Sequence, residues 1–241
     1  MVACSLPSQP GPQPTDIIPT EFIPGFNVLG VIRVDGTRGS SFIHVQRAFR
    51  VEEATETFSP VIKEATVSVL TENPDSSYFF TFRNDSLRGD IYANSDFRPV
   101  AGHEYRLTVT GAGLPVLSAS TVTPALPVVD TTSLEISPRR VSFTIMTTPD
   151  TGLYEVYLIC ETTEYSQQRI NHSEQSQEFL FPLPHGEKPA KLEVYAYDSH
   201  LAEYLTAAIT IKPQTYRETV TTVEGGYGCF GSVSKTVVWL Q

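Results

Sequence analysis

The residues of this chain that could do chemistry are few and scattered. Its five histidines are His44, His103, His172, His185 and His200. None stands in HxH, HExxH or CxxC-type spacing, so no zinc set assembles from neighbours in sequence. Asp198-Ser199-His200 has the residue types of a hydrolytic triad. Adjacent residues of a strand or turn point apart, and the chain has no Gly-x-Ser-x-Gly turn. Gly225-Gly226-Tyr227-Gly228-Cys229-Phe230-Gly231 holds four glycines in seven residues. It reads either as a backbone anion cradle or as a bulged turn in which Tyr227 and Phe230 plug a hydrophobic seam. It lacks the Lys-Ser/Thr of a phosphate-binding loop and the strand-turn-helix setting of a dinucleotide fingerprint. Asn73, Asp75, Asn84, Asp85, Asp90, Asn94 and Asp96 crowd one region. Such oxygens serve a loop-bound calcium or, as side-chain caps, a series of hairpin turns. No pair of carboxylates flanks a cleft motif, so glycoside hydrolysis has no support. No catalytic residue, metal site or cofactor is therefore expected, and the chain is expected not to be an enzyme.

The three cysteines are Cys4, Cys160 and Cys229. Val2-Ala3-Cys4 matches the end of a lipoprotein signal, where small residues admit the peptidase. From Ser5 to Thr15, seven of eleven residues are Pro, Gly or Ser, four of them Pro. Such a stretch is an extended tether. Lipidation at Cys4 would attach diacylglycerol through a thioether, and two or more acyl chains anchor stably. Cys160 and Cys229 are then left as a candidate disulfide or as two buried thiols.

These features must be positioned by strands. The chain has 241 residues, 40% of them hydrophobic and only 18% charged, with 27 Thr, 23 Val, 24 Phe and Tyr, 5 Lys and 18 Pro. Residues that fit a pleated surface dominate, which excludes a helical bundle, a coiled coil and a disordered chain. The net charge of −10 repels phosphate backbones, so nucleic acid is not an expected partner. No apolar run approaches the 18 residues of a membrane-spanning helix. Asn84-Asp85-Ser86 and Asn171-His172-Ser173 fit glycosylation sequons, which matter only in a host that glycosylates them.

Period-two alternation predicts strands from about Phe26 onward. Asn27–Val34 is broken by Gly30, and the Asp35-Gly36 turn leads into Ser41–Phe49. Val61–Leu70, Tyr78–Arg83, Tyr105–Val109 and Leu117–Thr123 follow. Pro124 and Pro127 end a strand. Arg140–Met146, Leu153–Cys160, Glu178–Phe181, Leu192–Tyr197 and Ser232–Leu240 form a second series. Glu161–Ser176 reads as a loop or solvated edge hairpin, and Ser199–Ala207 as one or two helical turns. The expected fold is all-β: two consecutive β-sandwiches, immunoglobulin-like or transthyretin-like, after a flexible N-terminal tether. The expected divisions are 1–25 for the anchor and tether, 26–125 for the first sandwich and 133–241 for the second, which would include the Gly-rich motif. Tyr78-Phe79-Phe80 and Tyr195–Tyr197 offer either sugar-stacking faces or core packing.

The order of these features resembles a family of outer-membrane lipoproteins of unknown function, with an N-terminal sandwich like the carboxypeptidase regulatory domain. The matching pieces are Gly30-Val31-Ile32, the strand from Pro60 to Val69, and Gly102-His103-Glu104-Tyr105-Arg106-Leu107-Thr108-Val109. The distinctive piece is Thr222–Gly231, which is similar to the family's C-terminal N-I-E-G-G-x-G-x-F-G signature. Through it Gly225, Gly226, Tyr227, Gly228, Phe230 and Gly231 become family-motif residues. This chain departs from the pattern with Thr222 in place of Asn and Cys229 in place of an aliphatic residue. Its first acidic residue is Asp16, so it lacks the acids directly after the lipid cysteine that mark some surface-exposed members. The resemblance implies a membrane partner through the lipid anchor, location at the outer membrane, and a TonB-dependent β-barrel transporter as partner. The expected function is that of a non-enzymatic cell-envelope protein accessory to such a transporter. The alternative is a carbohydrate- or surface-binding adhesion module acting alone.

Overall fold

The computed structural model describes residues 22–53, 55, 58–71, 76–148, 150–172, 175–207 and 221–240. Cys4, the tether, Asn73 and Asp75 lie outside them. The first lobe contains β1 (Phe26–Val34), β2 (Phe42–Arg47), β3 (Thr66–Thr71), β4 (Ser77–Asp85), β5 (Gly89–Ala93), β6 (Glu104–Thr110) and β7 (Leu117–Val122). The second contains β8 (Val128–Ser137), β9 (Arg140–Met146), β10 (Leu153–Cys160), β11 (Glu164–Ile170), β12 (Ser176–Pro182), β13 (Pro189–Tyr197) and a helix, α1 (Ser199–Ala207). A long final strand, β14 (Gly226–Trp239), belongs to both.

Alternation makes each strand two-faced. In β6, Tyr105, Leu107 and Val109 are buried while Arg106 is exposed. In β13, Leu192, Val194 and Ala196 face inward. The sheet of the first lobe runs β14-β1-β2-β5-β4-β3-β6-β7 and folds over its own core. β4 turns the corner: its first residues pair with β3 and Thr81–Asp85 pair with β5. A bridge between Ser118 and Glu224 brings the far edge, β7, back to the approach to β14. Phe26, Ile32, Ile43, Tyr105, Leu117 and Phe230 fill the interior. In the second lobe the layer β11-β10-β13-β14 faces β12-β9-β8. Phe143 stacks between Phe179 and Phe181 in that core, at 5.7 and 6.3 Å between ring centroids.

The expected all-β architecture of two sandwiches is thus present, and α1 stands where helical spacing placed it. Two details differ. β8 already starts at Val128, inside the expected interdomain stretch. Its register shifts between Asp130 and Glu135, where the Asp130 carboxylate accepts bonds from Thr132. That bulge hides the alternation. The second difference concerns the Gly-rich motif, expected in the second sandwich. Gly226–Ser234 instead pairs in parallel with β1, and only Val233–Trp239 pairs with β13. A division of the chain into 26–125 and 133–241 therefore assigns to the second sandwich alone a strand common to both lobes.

The Cys160–Cys229 bridge is also corrected: both thiols are free and buried in different clusters. Cys229 sits opposite Leu29, whereas Cys160 is level with Pro189, near the end of β14 that pairs with Lys191. About ten residues of strand separate these levels, roughly 30 Å at ~3.3 Å per residue. A disulfide needs Cα atoms within about 7 Å. Burial pushes the Cys229 thiol up to about 11, which makes it a poor nucleophile. Denatured without reductant, protein carrying Cys4→Ser should show two reactive thiols per chain, where a bridged protein would show none.

Candidate functional site

The seam between the lobes is built on β14 at very short range. Each glycine of the motif is occupied on its Cβ side by protein. A Cβ at Gly225 would stand 2.2 Å from the Val116 carbonyl oxygen, and one at Gly226 2.6 Å from that of Phe26. A Cβ at Gly231 would stand 2.8 Å from Leu201 Cβ and from Asp198 Oδ1. Gly228 is the tightest: its φ is +106°, and a Cβ would lie 1.9 Å from the Val28 oxygen. Glycine is required there for conformation and for space. Phe230 is fully buried and lies over Gly30, where a Cβ would come within 2.7 Å of the ring. Gly30 therefore lets the ring in and does not break β1. The Tyr227 hydroxyl donates to the Ile23 carbonyl at 3.0 Å. The anion-cradle reading is left without room, and the motif is a close-packing device.

Asp198 ties the seam together. It is 4% exposed and ends β13 as the N-cap of α1. Its Oδ1 accepts from the Leu201 amide at 2.8 Å. Its Oδ2 accepts from the Ser232 amide at 3.0 Å, the Ser232 hydroxyl at 3.1 Å and the Thr121 hydroxyl. One carboxylate thus binds β7, β14 and the start of α1. Burial drives its pKa above the ordinary value, against the bonds from Thr121, Leu201 and Ser232 that favour the ionised form. The Ser232 hydroxyl shares its one proton between Asp198 and the Val122 carbonyl, also at 3.1 Å, and that of Ser234 donates to Ala125 at 2.8 Å. The Pro-containing linker is therefore stitched to β14. The sequence reading missed this role. The signal was present: an Asp directly before a helical pattern is an N-cap.

A cleft of about 470 Å³ opens beside Asp198, walled by Glu104, Ser120 and Val122 on one lobe and Asp150, Thr151 and Asn171 on the other. The second wall is held by its own polar groups: Asn171 Nδ2 donates to the carbonyls of Thr148 and Thr151. His200 also borders the cleft, its Nδ1 3.4 Å from the Phe230 oxygen. Asp198, Ser199 and His200 form no relay, because Asp198 spends both oxygens on the seam. His44 Nδ1 contacts the Asp90 carbonyl, and His103, His172 and His185 are exposed at separate places. Of the Asx cluster, Asp85 caps the amides of Leu87 and Arg88, and Asn94 those of Asp96 and Phe97. Asn84 donates to Asp90. These are turn caps. Among the described residues no group of three or more His, Cys, Asp or Glu is arranged to hold a metal. Among them, too, no helix is long and apolar enough to cross a membrane.

A different surface emerges on the outer face of β10, β13 and β14. Tyr195 and Tyr197 alternate with the buried Val194 and Ala196, so their rings lie on the other side of the sheet, partly buried against the cluster of Val31, Leu201, Cys229 and Val233. Tyr157 meets Tyr195 edge-on at 5.7 Å. Glu193 accepts from Lys191 and Lys235 at 2.7 Å each and from the Tyr195 hydroxyl at 2.9 Å. Burial raises the Glu193 pKa, but these donors outweigh it and hold the carboxyl at about 2. Tyr197 donates to Glu155 at 2.6 Å, and Gln168 Nε2 donates to the same carboxylate at 2.8 Å. Burial and the Glu155 carboxylate push the Tyr157 phenol up to about 12.

With this geometry in hand, the sequence matches the model of a family described as a domain of unknown function, DUF4249, over residues 27–237. The chain belongs to that family. A search of curated proteins gave no match. Among solved structures, the chain aligns with chicken CNTN1 FN1-FN3 domains at 12% identity and a TM-score of 0.29, covering 91% of this chain and 67% of that one. It also aligns with the chicken interferon gamma receptor alpha chain at 10% identity and a TM-score of 0.26, covering 90% and 97%.

The glycine contacts give a paired test. Gly228→Ala should cost roughly 4 kcal/mol or prevent folding, because both φ and backbone overlap oppose it. Gly186, with φ +89° and nothing within 4 Å of a Cβ, carries the conformational cost alone. Gly186→Ala should therefore lose only about 1 kcal/mol. Urea unfolding of both variants checks the contrast.

Proposed function

We propose that the protein is a non-enzymatic component of the cell envelope, anchored at the outer membrane by lipid on Cys4 and accessory to a TonB-dependent β-barrel transporter. The observation that carries this reading is the strand shared by the lobes. β14 and the stitched linker make two sandwiches into one stiff body, and that body begins at β1, directly after the Pro-rich tether. A stiff body on a flexible tether suits a part that docks on a partner embedded in the same membrane. Asp198 and Ser232 serve the seam, and Asp85 and Asn94 cap turns.

A second reading, a carbohydrate- or surface-binding module acting alone, draws on one observation: Trp239, on the outer side of β14, is 71% exposed. Fractionation separates the anchor from the partner. Expressed behind a complete lipoprotein signal, Cys4→Ser should move the protein from the membrane to the soluble fraction. A variant that stays with the membrane contradicts anchoring at Cys4. Affinity purification of the lipidated protein should recover a β-barrel transporter. Membrane retention without any barrel would favour the module acting alone.

A further inference from the structure

The outer face of the second lobe carries more aromatic and charged groups than packing requires. The core side of the same strands already holds Val156, Leu158, Leu192, Val194 and Ala196. On the opposite side stands Trp239, the single tryptophan of the chain, 71% exposed. Lys191 pairs with it across the strands and places its ammonium 5.5 Å from the indole. Towards the lobe junction come Tyr157, level with Glu193, then Tyr195, under Lys235 at 5.1 Å, and last Tyr197. A depression of about 370 Å³ is sunk among Tyr157, Tyr195, Tyr197, Glu155 and Glu193.

We infer that this face is a saccharide-binding platform, with the rings of Trp239 and Tyr157 as its floor and Glu155, Glu193 and Lys235 as its hydrogen-bonding groups, for a neutral oligosaccharide of pyranose units. The inference rests on the second reading above and gives it a place and a ligand class. Three features select that ligand. A pyranose presents apolar C–H faces rimmed by hydroxyls, which calls for aromatic faces bordered by fixed donors and acceptors. The face is locally neutral on a strongly acidic chain: Glu155, Glu164 and Glu193 stand against Arg33, Lys191 and Lys235. Neither a polyanion nor a polycation is drawn to such a balance, whereas a polyol needs no net charge. The third feature is preorganisation. Glu193 is held by two lysines and a tyrosine, and Glu155 by Tyr197 and Gln168, so little rotamer freedom is left to lose on binding. The platform is also remote from the start of β1. From the Gly226 end of β14, beside the start of β1, to Trp239 the strand runs roughly 40 Å at ~3.3 Å per residue.

Because Trp239 is the single tryptophan, its emission reports on this face directly. The full chain is titrated with neutral hexasaccharides of glucose, mannose, galactose and xylose in several linkages, with a sulfated polysaccharide as a charged control. At least one neutral saccharide should shift Trp239 emission saturably, and calorimetry should give the same affinity. Tyr157→Ala should weaken that binding at least about tenfold by either readout, and Trp239→Ala likewise by calorimetry. Phe79→Ala, an exposed aromatic of the first lobe, should leave it unchanged. The two platform side chains are outside the cores, so unfolding midpoints should stay close to the parent's. Three results overturn the inference: no neutral saccharide binding up to about 10 mM, binding indifferent to both platform variants, or salt-sensitive binding of the sulfated polymer alone. Membrane fractionation and recovery of a transporter by the Trp239→Ala and Tyr157→Ala variants are read separately, so failure of the platform and failure of the accessory role stay distinguishable.

Discussion

The close parallel pairing of β14 with β1 is the constraint on which the rest of the structure depends. It joins residues about 200 positions apart, and the whole chain must be laid down before it can close. Its backbones approach so tightly that Gly228 has no substitute with a side chain, and the Phe230 ring fills the space beside Gly30. Once formed, it sets the level of everything further along the same strand. Val233–Trp239 is offered to β13, and the second sandwich is completed by the strand that completes the first.

From this pairing follow the polar features of the seam. A strand that serves two cores must cross the gap between them, and at the crossing its inward side meets backbone and not another sheet. Ser232 and Ser234, fully buried, fill that stretch and satisfy carbonyls of the 121–125 segment. Asp198 offsets the desolvation of a buried carboxylate with four donors from three elements. The helix it caps lays Leu201 against β14, beside Gly231, and Ala202 against Gly152. The groups that look catalytic in one dimension are thus joinery in three.

Much of this was legible in the sequence, and the physics of each element explains the limit. Strands with one buried face announce themselves by alternation, as β3, β6 and β9 do. The helix at Ser199–Ala207 showed its spacing. The Gly-rich segment stood out as a motif, but its partner did not. Parallel pairing is non-local, and nothing in Gly225–Gly231 names Phe26–Val34 as its neighbour. The cysteine pairing failed for the same reason, since parity of number carries no distance. β8 was hidden by a bulge that resets its period at Asp130. Tyr195 and Tyr197 were ambiguous because an aromatic at alternate positions fits the core face or the outer face, and only the register with Val194 and Ala196 decides.

The shared strand makes the two sandwiches one cooperative unit. Unfolding in denaturant, followed at once by Trp239 emission for the second lobe and by amide protection of β3 and β6 for the first, tests it most directly. Coincident transitions with one midpoint are predicted. Separate midpoints, with one lobe keeping its protection while the other is unfolded, would contradict it.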